Sequence, residues 1–289
     1  MLLLFTLYMK VRNPEISVIS DVHLATYASK AKELVRYLKS VRPKKLVLNG
    51  DFIDSWRFSR NYFPKSHLKV LRQLIKMMEQ GTKVIYITGN HDEIFRRFNN
   101  TKMGNFSIVN QLELEMNGQK IWIIHGDIFD LIIHQAKWLA KLGAAAYGLI
   151  SLLNRFVNLL FKSLKAKEII IYKSLKDRIY KDKTVLTKFE TSIGEMAALK
   201  DYDVVICGHT HIPVDKNITV KGHTVRYINC GDWVEHFTAA EYSDDNWNLY
   251  YFSNEPEDET FPDELFIPDS KQVYQSILEE FAITQLSCR

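Results

Sequence analysis

Cysteine is scarce: Cys207, Cys230 and Cys288 are the only three in 289 residues, and none sits in a CxxC or Cys/His cluster. Their odd number and wide spacing exclude a disulfide framework and read as free thiols in a reducing compartment. Long apolar runs are also missing, and nothing approaches the ~20 residues needed to span a bilayer. The opening Met1 to Met9 lacks a basic leader and a small-residue cleavage site, and its apolar stretch is short for a signal peptide. The periodic pattern begins only at Glu15, so Met9 is an alternative start. A net charge of +4 is too small to argue for nucleic acid. With no internal repeat and no low-complexity linker, the expectation is a cytoplasmic protein, at most peripheral on the inner face of a membrane.

What is present is ordinary globular material, 46% hydrophobic and 25% charged, enough for one large domain or a core with an insertion. Short β-rich runs over 16–20, 45–49 and 84–87 alternate with amphipathic helical spacing. Ala31, Leu34, Val35 and Leu38 mark the first helix, and Leu68, Leu71, Leu74, Ile75 and Met78 the second. This βαβαβ rhythm predicts an α/β sheet with its ligands at the strand C-termini. Residues 107–125 then read as two antiparallel strands turning at Asn117-Gly118, and strand patterning resumes at 203–207 and continues to 252.

Six polar stretches stand where apolar runs end: Asp21-Val22-His23, Gly50-Asp51-Phe52-Ile53-Asp54, Gly89-Asn90-His91-Asp92, His125-Gly126-Asp127, Gly208-His209-Thr210-His211 and Asn229-Cys230-Gly231-Asp232. A carboxylate after a buried run is costly unless something cationic neutralises it. Asp, His and Asn offer oxygen and imidazole nitrogen, a donor set that suits Mn²⁺, Fe²⁺ or Zn²⁺ rather than soft thiolate chemistry. The glycines at 50, 89, 126, 208 and 231 are expected to let the backbone turn tightly beside such a centre.

The series Asp21-x-His23, Gly50-Asp51-x-x-Asp54, Gly89-Asn90-His91-Asp92, His125-Gly126-Asp127 and Gly208-His209-x-His211 resembles the calcineurin-like metallophosphoesterases over roughly residues 16–242. The resemblance implies a four-layer α/β/β/α sandwich and two divalent metal ions, taken as Mn²⁺ with Fe²⁺ or Zn²⁺ as alternatives. It makes Asp21, His23, Asp51 and His211 ligands of the first metal, with Asp51 bridging to a second completed by Asn90, His125 and His209. His91 takes the position of the family's phosphate-contacting histidine, a candidate general acid. Asp54 and Asp92 fall where a carboxylate orients a histidine ring, and Asp127 and Asp232 read as turn caps or ligand supports. The implied reaction is in-line attack on phosphorus by hydroxide generated at the metal pair.

Ser20-Asp21-Val22-His23-Leu24, Asn49 through Trp56, Gly208 through Pro213 and Asn229 through Trp233 further resemble the UDP-2,3-diacylglucosamine pyrophosphohydrolases of lipid A synthesis and their relatives. That group implies release of UMP and a lipid monophosphate. Its best-known branch carries arginine after the Gly-Asn pair, where this chain has His91. The alternatives are therefore a calcineurin-like phosphodiesterase or phosphatase with a soluble substrate and, third, a non-catalytic metal-binding scaffold.

Domain organisation is read as a catalytic domain over 15–254 interrupted by a helical insertion over 129–200, then an acidic tail with a short helix over 255–289. The insertion is apolar in its first half and lysine-rich onward. It is expected to form a lid over a phosphorylated small-molecule or lipid-linked substrate, its basic rim a candidate contact for an anionic membrane surface. Trp56, Arg57 and Phe58 are candidates for lining the entrance. His67, His134, His223 and His236 carry no motif and read as surface or core residues.

Overall fold

The computed structural model describes residues 11–56, 62–129 and 183–252. Residues 130–182 of the expected insertion, the 255–289 tail, Arg57, Phe58, His134 and both candidate start methionines lie outside the described residues. So do the lid and membrane-contact readings attached to them.

A seven-stranded sheet runs in the order β12-β11-β1-β2-β3-β5-β4. Its strands are β1 (Ile16–Ile19), β2 (Lys45–Asn49), β3 (Lys83–Ile87), β4 (Thr101–Met103), β5 (Phe106–Val109), β11 (Thr238–Ser243) and β12 (Asn246–Tyr251). A five-stranded sheet runs β6-β7-β8-β10-β9, from β6 (Leu112–Met116), β7 (Gln119–Ile123), β8 (Val204–Cys207), β9 (Val214–Val220) and β10 (His223–Asn229). The inner strands β1, β2 and β3 pair in parallel, as do β7, β8 and β10, so each set delivers its C-termini to one edge. The β6–β7 hairpin turns at Asn117-Gly118, both at positive φ (51° and 73°), the backbone that matches strand twist in a two-residue turn.

Three apolar cores separate four layers. Helices α1 (Ala31–Ser40) and α2 (Lys65–Glu79) cover the outer face of the large sheet through Leu34, Leu38, Val70, Met77, Leu46 and Val84. Between the sheets lie Ile16, Val18, Val47, Ile121, Ile206 and Ile228. Helix α3 (Lys183–Leu199) closes the far side, with Phe189, Ile193 and Ala197 against Trp122, Val205 and Tyr227. The arrangement is the α/β/β/α sandwich, and the last stretch of the segment read as an insertion is its fourth layer. A 3-10 helix over Glu93–Phe98 follows the β3 loop. No helix among the described residues is long and apolar enough to cross a membrane.

The α2 face keeps Leu71, Leu74 and Met78 of the expected stripe against the core and differs from it at its most buried positions. Its buried positions are His67, Val70, Gln73, Leu74 and Met77, whereas Ile75 is 52% exposed. The two polar members are tolerated because each is bonded: His67 Nδ1 accepts the Ala25 N–H at 3.0 Å, and Gln73 Nε2 donates to the Leu38 carbonyl at 3.4 Å. Accepting through Nδ1 requires a neutral imidazole, and burial pushes the His67 pKa down to about 4 from 6.5. The unfolded chain therefore takes up a proton below pH 6.5 that the folded chain refuses until about pH 4, so stability is full above that window and declines as pH falls through it. Between pH 7.5 and 5.0 this costs about 2 kcal/mol. Urea unfolding of the wild type and His67→Gln at both pH values should show the variant losing less on acidification. Parallel losses would remove His67 from the account.

Candidate metal centre

The parallel strand ends meet at one edge of the sandwich. Asp21 and His23 follow β1, Asp51 follows β2, Asn90 and His91 follow β3, His125 follows β7, and His209 and His211 follow β8. The two sheets are tied there by Asn49, whose Nδ2 donates to the Ile124 carbonyl at 2.9 Å while its own carbonyl meets His125 Nδ1 at 2.9 Å. The β1 loop is laid along the β2 loop by backbone bonds from Asp21, His23 and Leu24 to Gly50, Asp51 and Phe52.

Five of the seven candidate ligands sit in left-handed backbone: Asp21 (φ 54°), His23 (51°), Asp51 (52°), His209 (68°) and His211 (64°). Gly50 shares that conformation at φ 78°, and a side chain on it would also collide with the His125 ring. Gly89 is different from expectation. Its backbone is not left-handed; a Cβ there would instead meet the Asp51 backbone nitrogen at 2.7 Å and His125 Cδ2 at 2.8 Å. What Gly89 supplies is close approach, not turning freedom.

Three groups of side chains converge: Asp21, His23 and His211; His23, Asp51 and His91; and Asp51, His125 and His209. Within each, the ligand atoms lie within 4.8 Å of one another, so each could hold a metal ion. Asp51 is common to two of the groups, its Oδ2 lying 3.4 Å from His125 Nε2, 3.9 Å from His23 Nε2 and 4.0 Å from His91 Nε2. The second sub-cluster places His211 Nε2 3.3 Å from Asp21 Oδ1 and 3.4 Å from His23 Nε2. His209 is fixed by its backbone N–H, which donates to Asp21 Oδ2 at 2.9 Å, and by its ring beside those of His125 and Phe189.

Four of the five imidazoles share a pattern. Nδ1 is anchored away from the centre and Nε2 is turned toward it: His125 on the Asn49 carbonyl, His211 on Asp232 Oδ2 at 2.8 Å, His91 on Asp54 Oδ2 at 3.0 Å, and His23 with Asp54 Oδ2 at 3.5 Å. Such anchoring selects one tautomer and presents the other nitrogen to a cation. The fit to metal ions is visible in the leftovers: Asp21 Oδ1 and Asn90 Oδ1 are buried and make no hydrogen bond among the described residues. A buried acceptor of that kind is what a cation satisfies.

The charges are matched as well. Burial works to raise the Asp51 pKa, but His125, His91 and His23 hold it well below the usual carboxylate range. His125 is the reciprocal case: burial works against its charge, and Asp51 and Asp21 draw its pKa well above normal. Asp54 is likewise lowered, since its bonds to His23 and His91 outweigh burial. Divalent cations would take the place of these imidazole protons.

Of the expected supports, Asp54 bonds the His91 ring and lies beside His23, as the resemblance implies. Asp92 does not touch a histidine. It receives the N–H groups of Phe52 (2.9 Å) and Gly89 (2.5 Å) and the Tyr86 hydroxyl (2.6 Å), so it braces the β2 and β3 loops against each other. Burial and the nearby Asp51 raise its pKa to about 6. Asp127 ion-pairs with Arg96 and adds to the field on His125. Asp232 holds His211 with one oxygen and the N–H groups of Glu235 and His236, both at 2.9 Å, with the other. His223 bonds the Tyr202 carbonyl, and His236 Nδ1 lies 3.2 Å from Asp232.

Sequence reasoning assigned no role to Ser20, Asn49, Tyr86 or Asn229. Ser20 Oγ donates to Asp21 Oδ2 at 2.5 Å, and Asn229 Nδ2 donates to the Gly208 carbonyl at 2.7 Å and to Thr210 Oγ1 at 2.9 Å. The available signal was polarity at the last position of a buried strand, at Asn49 and Asn229.

A model of the calcineurin-like phosphoesterases matches residues 15–213. A UDP-2,3-diacylglucosamine hydrolase from Aeromonas hydrophila is 25% identical over 233 residues, covering 75% of this chain and 90% of that protein. One from Histophilus somni is 27% identical, covering 74% and 90%. Among solved structures, a dimetal phosphatase from Danio rerio is 14% identical with a TM-score of 0.41, covering 82% of this chain and 96% of its own.

Proposed function

The chain belongs to the calcineurin-like phosphoesterase family and is a hydrolase acting on phosphate esters; from that premise we propose that it cleaves the pyrophosphate of a nucleotide-linked acylated sugar, UDP-2,3-diacylglucosamine or a close analogue. Water is added across the P–O–P bridge, giving UMP and a lipid monophosphate. The observation that carries the reading is Asp51 Oδ2, one buried carboxylate oxygen facing three inward-turned Nε2 atoms and shared by two potential ligand groups. The substrate class is supported by the relatives named as UDP-2,3-diacylglucosamine hydrolases.

In this reading Asp21, His23, Asp51 and His211 would hold one divalent ion, and Asp51, Asn90, His125 and His209 would hold the other. Mn²⁺ is the first choice, with Fe²⁺ or Zn²⁺ as alternatives. When bound, such a pair supplies Lewis-acid charge to the phosphoryl oxygens and a water acidic enough to attack at neutral pH. The protein's own part is to hold this geometry. Asp54 and Asp232 fix the His91 and His211 rings, and Asp92 locks the Gly89-Asn90-His91 loop to Phe52. His91, its Nδ1 held by Asp54, offers Nε2 to the phosphate and a proton to the departing oxygen. We also read the protein as cytoplasmic and working at the inner face of the membrane, where an acylated substrate partitions.

His91 favours a second reading, a phosphodiesterase or phosphatase with a water-soluble substrate, because the best-known diphosphatase branch has arginine there. The two separate on direct comparison. With Mn²⁺ present, kcat/KM for UDP-2,3-diacylglucosamine should exceed that for bis(p-nitrophenyl) phosphate. Rapid turnover of the soluble diester with none of the lipid-linked nucleotide would establish the second reading instead.

A further inference from the structure

His91 is enclosed by the turn that follows Asp51. Its N–H donates to Asp51 Oδ1 at 2.8 Å, and its carbonyl accepts the Ser55 N–H at 2.8 Å and the Ser55 hydroxyl at 2.5 Å. Nδ1 meets Asp54 Oδ2 at 3.0 Å. These bonds locate the residue and one ring nitrogen, but a hydrogen bond at Nδ1 does not by itself set the plane of an imidazole, which can turn about that contact and sweep Nε2 sideways. Among the described residues, two rings lie against it and oppose that turn. The Trp56 indole lies over the imidazole with centroids 4.3 Å apart and planes at 36°, and His23 meets it edge-on at 4.7 Å and 87°.

We propose that Trp56 is a positioning residue for the reaction: its indole fixes the plane of the His91 ring and so keeps Nε2 directed at the phosphate in front of Asp51. Of these two rings, His23 is committed to the centre through its own Nε2, so the contact of Trp56 is the one that can be varied without disturbing a candidate ligand. The proposal rests on the hydrolase reading above. It assigns Trp56 an effect on turnover, not on substrate affinity, because a ring swung out of line weakens the transition state more than the bound ground state.

The test uses the Mn²⁺-loaded full chain with UDP-2,3-diacylglucosamine and with diphenyl phosphate, whose phenolate is a poor leaving group that needs a proton, comparing Trp56→Phe, Trp56→Leu and Trp56→Ala, each also placed on His91→Ala. Trp56→Ala and Trp56→Leu should each lower kcat about tenfold through misalignment of His91. KM should stay within about twofold. Trp56→Phe, which keeps a flat ring, should recover most of the loss. On His91→Ala the same changes should cost less than about twofold, because the two residues act as one unit. In the metal-free protein, the upfield ring-current shift of the His91 ring protons should vanish in Trp56→Leu and persist in Trp56→Phe.

A rise in KM with kcat unchanged would make Trp56 a wall of the substrate site and overturn the proposal. Equal losses with and without His91 would do the same. Should Trp56→Ala fail to fold, the Leu and Phe variants carry the comparison. If the wild type hydrolyses no phosphoester, the functional reading fails, while the ring shift still decides whether Trp56 clamps His91.

Discussion

Asp51→Ala is expected to lower hydrolysis by at least about a thousandfold, the loss of roughly 4 kcal/mol of charge stabilisation, and to strip divalent metal from the protein. The size follows from the convergence on one oxygen. Asp51 Oδ2 is the negative charge nearest to His125 Nε2, at 3.4 Å, and also faces His23 and His91. Its removal leaves three inward-facing imidazoles without a central carboxylate and breaks both ligand groups that contain it. Asp51→Asn refines the test, since the amide oxygen can still accept the His91 N–H that Asp51 Oδ1 accepts. If charge is what matters, the Asn variant should be nearly as inactive as the Ala variant. Turnover and metal content by plasma mass spectrometry measure both quantities. A variant with its full metal complement and more than about a tenth of the activity would dismiss Asp51 as the bridge.

His91→Ala should behave differently, and the contrast separates two roles. Loss of a phosphate contact and proton donor is expected to cost about a hundredfold to ten-thousandfold in kcat while bound metal stays unchanged. The alternative is structural, because His23, Asp51 and His91 form a group whose ligand atoms could themselves hold an ion. If His91 were a ligand, the variant would lose metal in parallel with activity. A series of phosphodiesters with leaving groups of rising pKa adds a finer reading. A proton donor matters little for a good leaving group and much for a poor one, so the loss should grow along the series. A uniform loss would identify a charge contact without proton transfer.

The strand ends were legible because a buried apolar run that closes on Asp, Asn or His has few explanations other than a shared site. Other features were hidden for physical reasons. The α2 stripe is legible in Leu71, Leu74 and Met78 but not in His67 and Gln73, which are buried with polar partners while Ile75 is left outside, because apolar content alone cannot register a satisfied polar group. The anchor of His125 is a backbone carbonyl, at Asn49, and carbonyls leave no trace in side-chain identity. Asp92 sits at the expected position yet braces backbone and a tyrosine, a distinction that depends on which way the loop folds. Helix α3 is only weakly amphipathic, so its sequence marks no clear buried face. Contact with Trp122, Val205 and Tyr227 shows that it packs on the small sheet as the fourth layer.

The left-handed backbone at Asp21, His23, Asp51, His209 and His211 has a consequence for how this chain would change under selection. Each such residue carries on the order of 1 kcal/mol or more that a glycine would not. The substitutions that would relax the loops are therefore the ones that delete a metal donor. A library of variants enriched for heat resistance alone would accumulate glycine at these positions and drift toward well-folded, inert proteins. Retaining donors at all five would require that survivors also be screened for turnover.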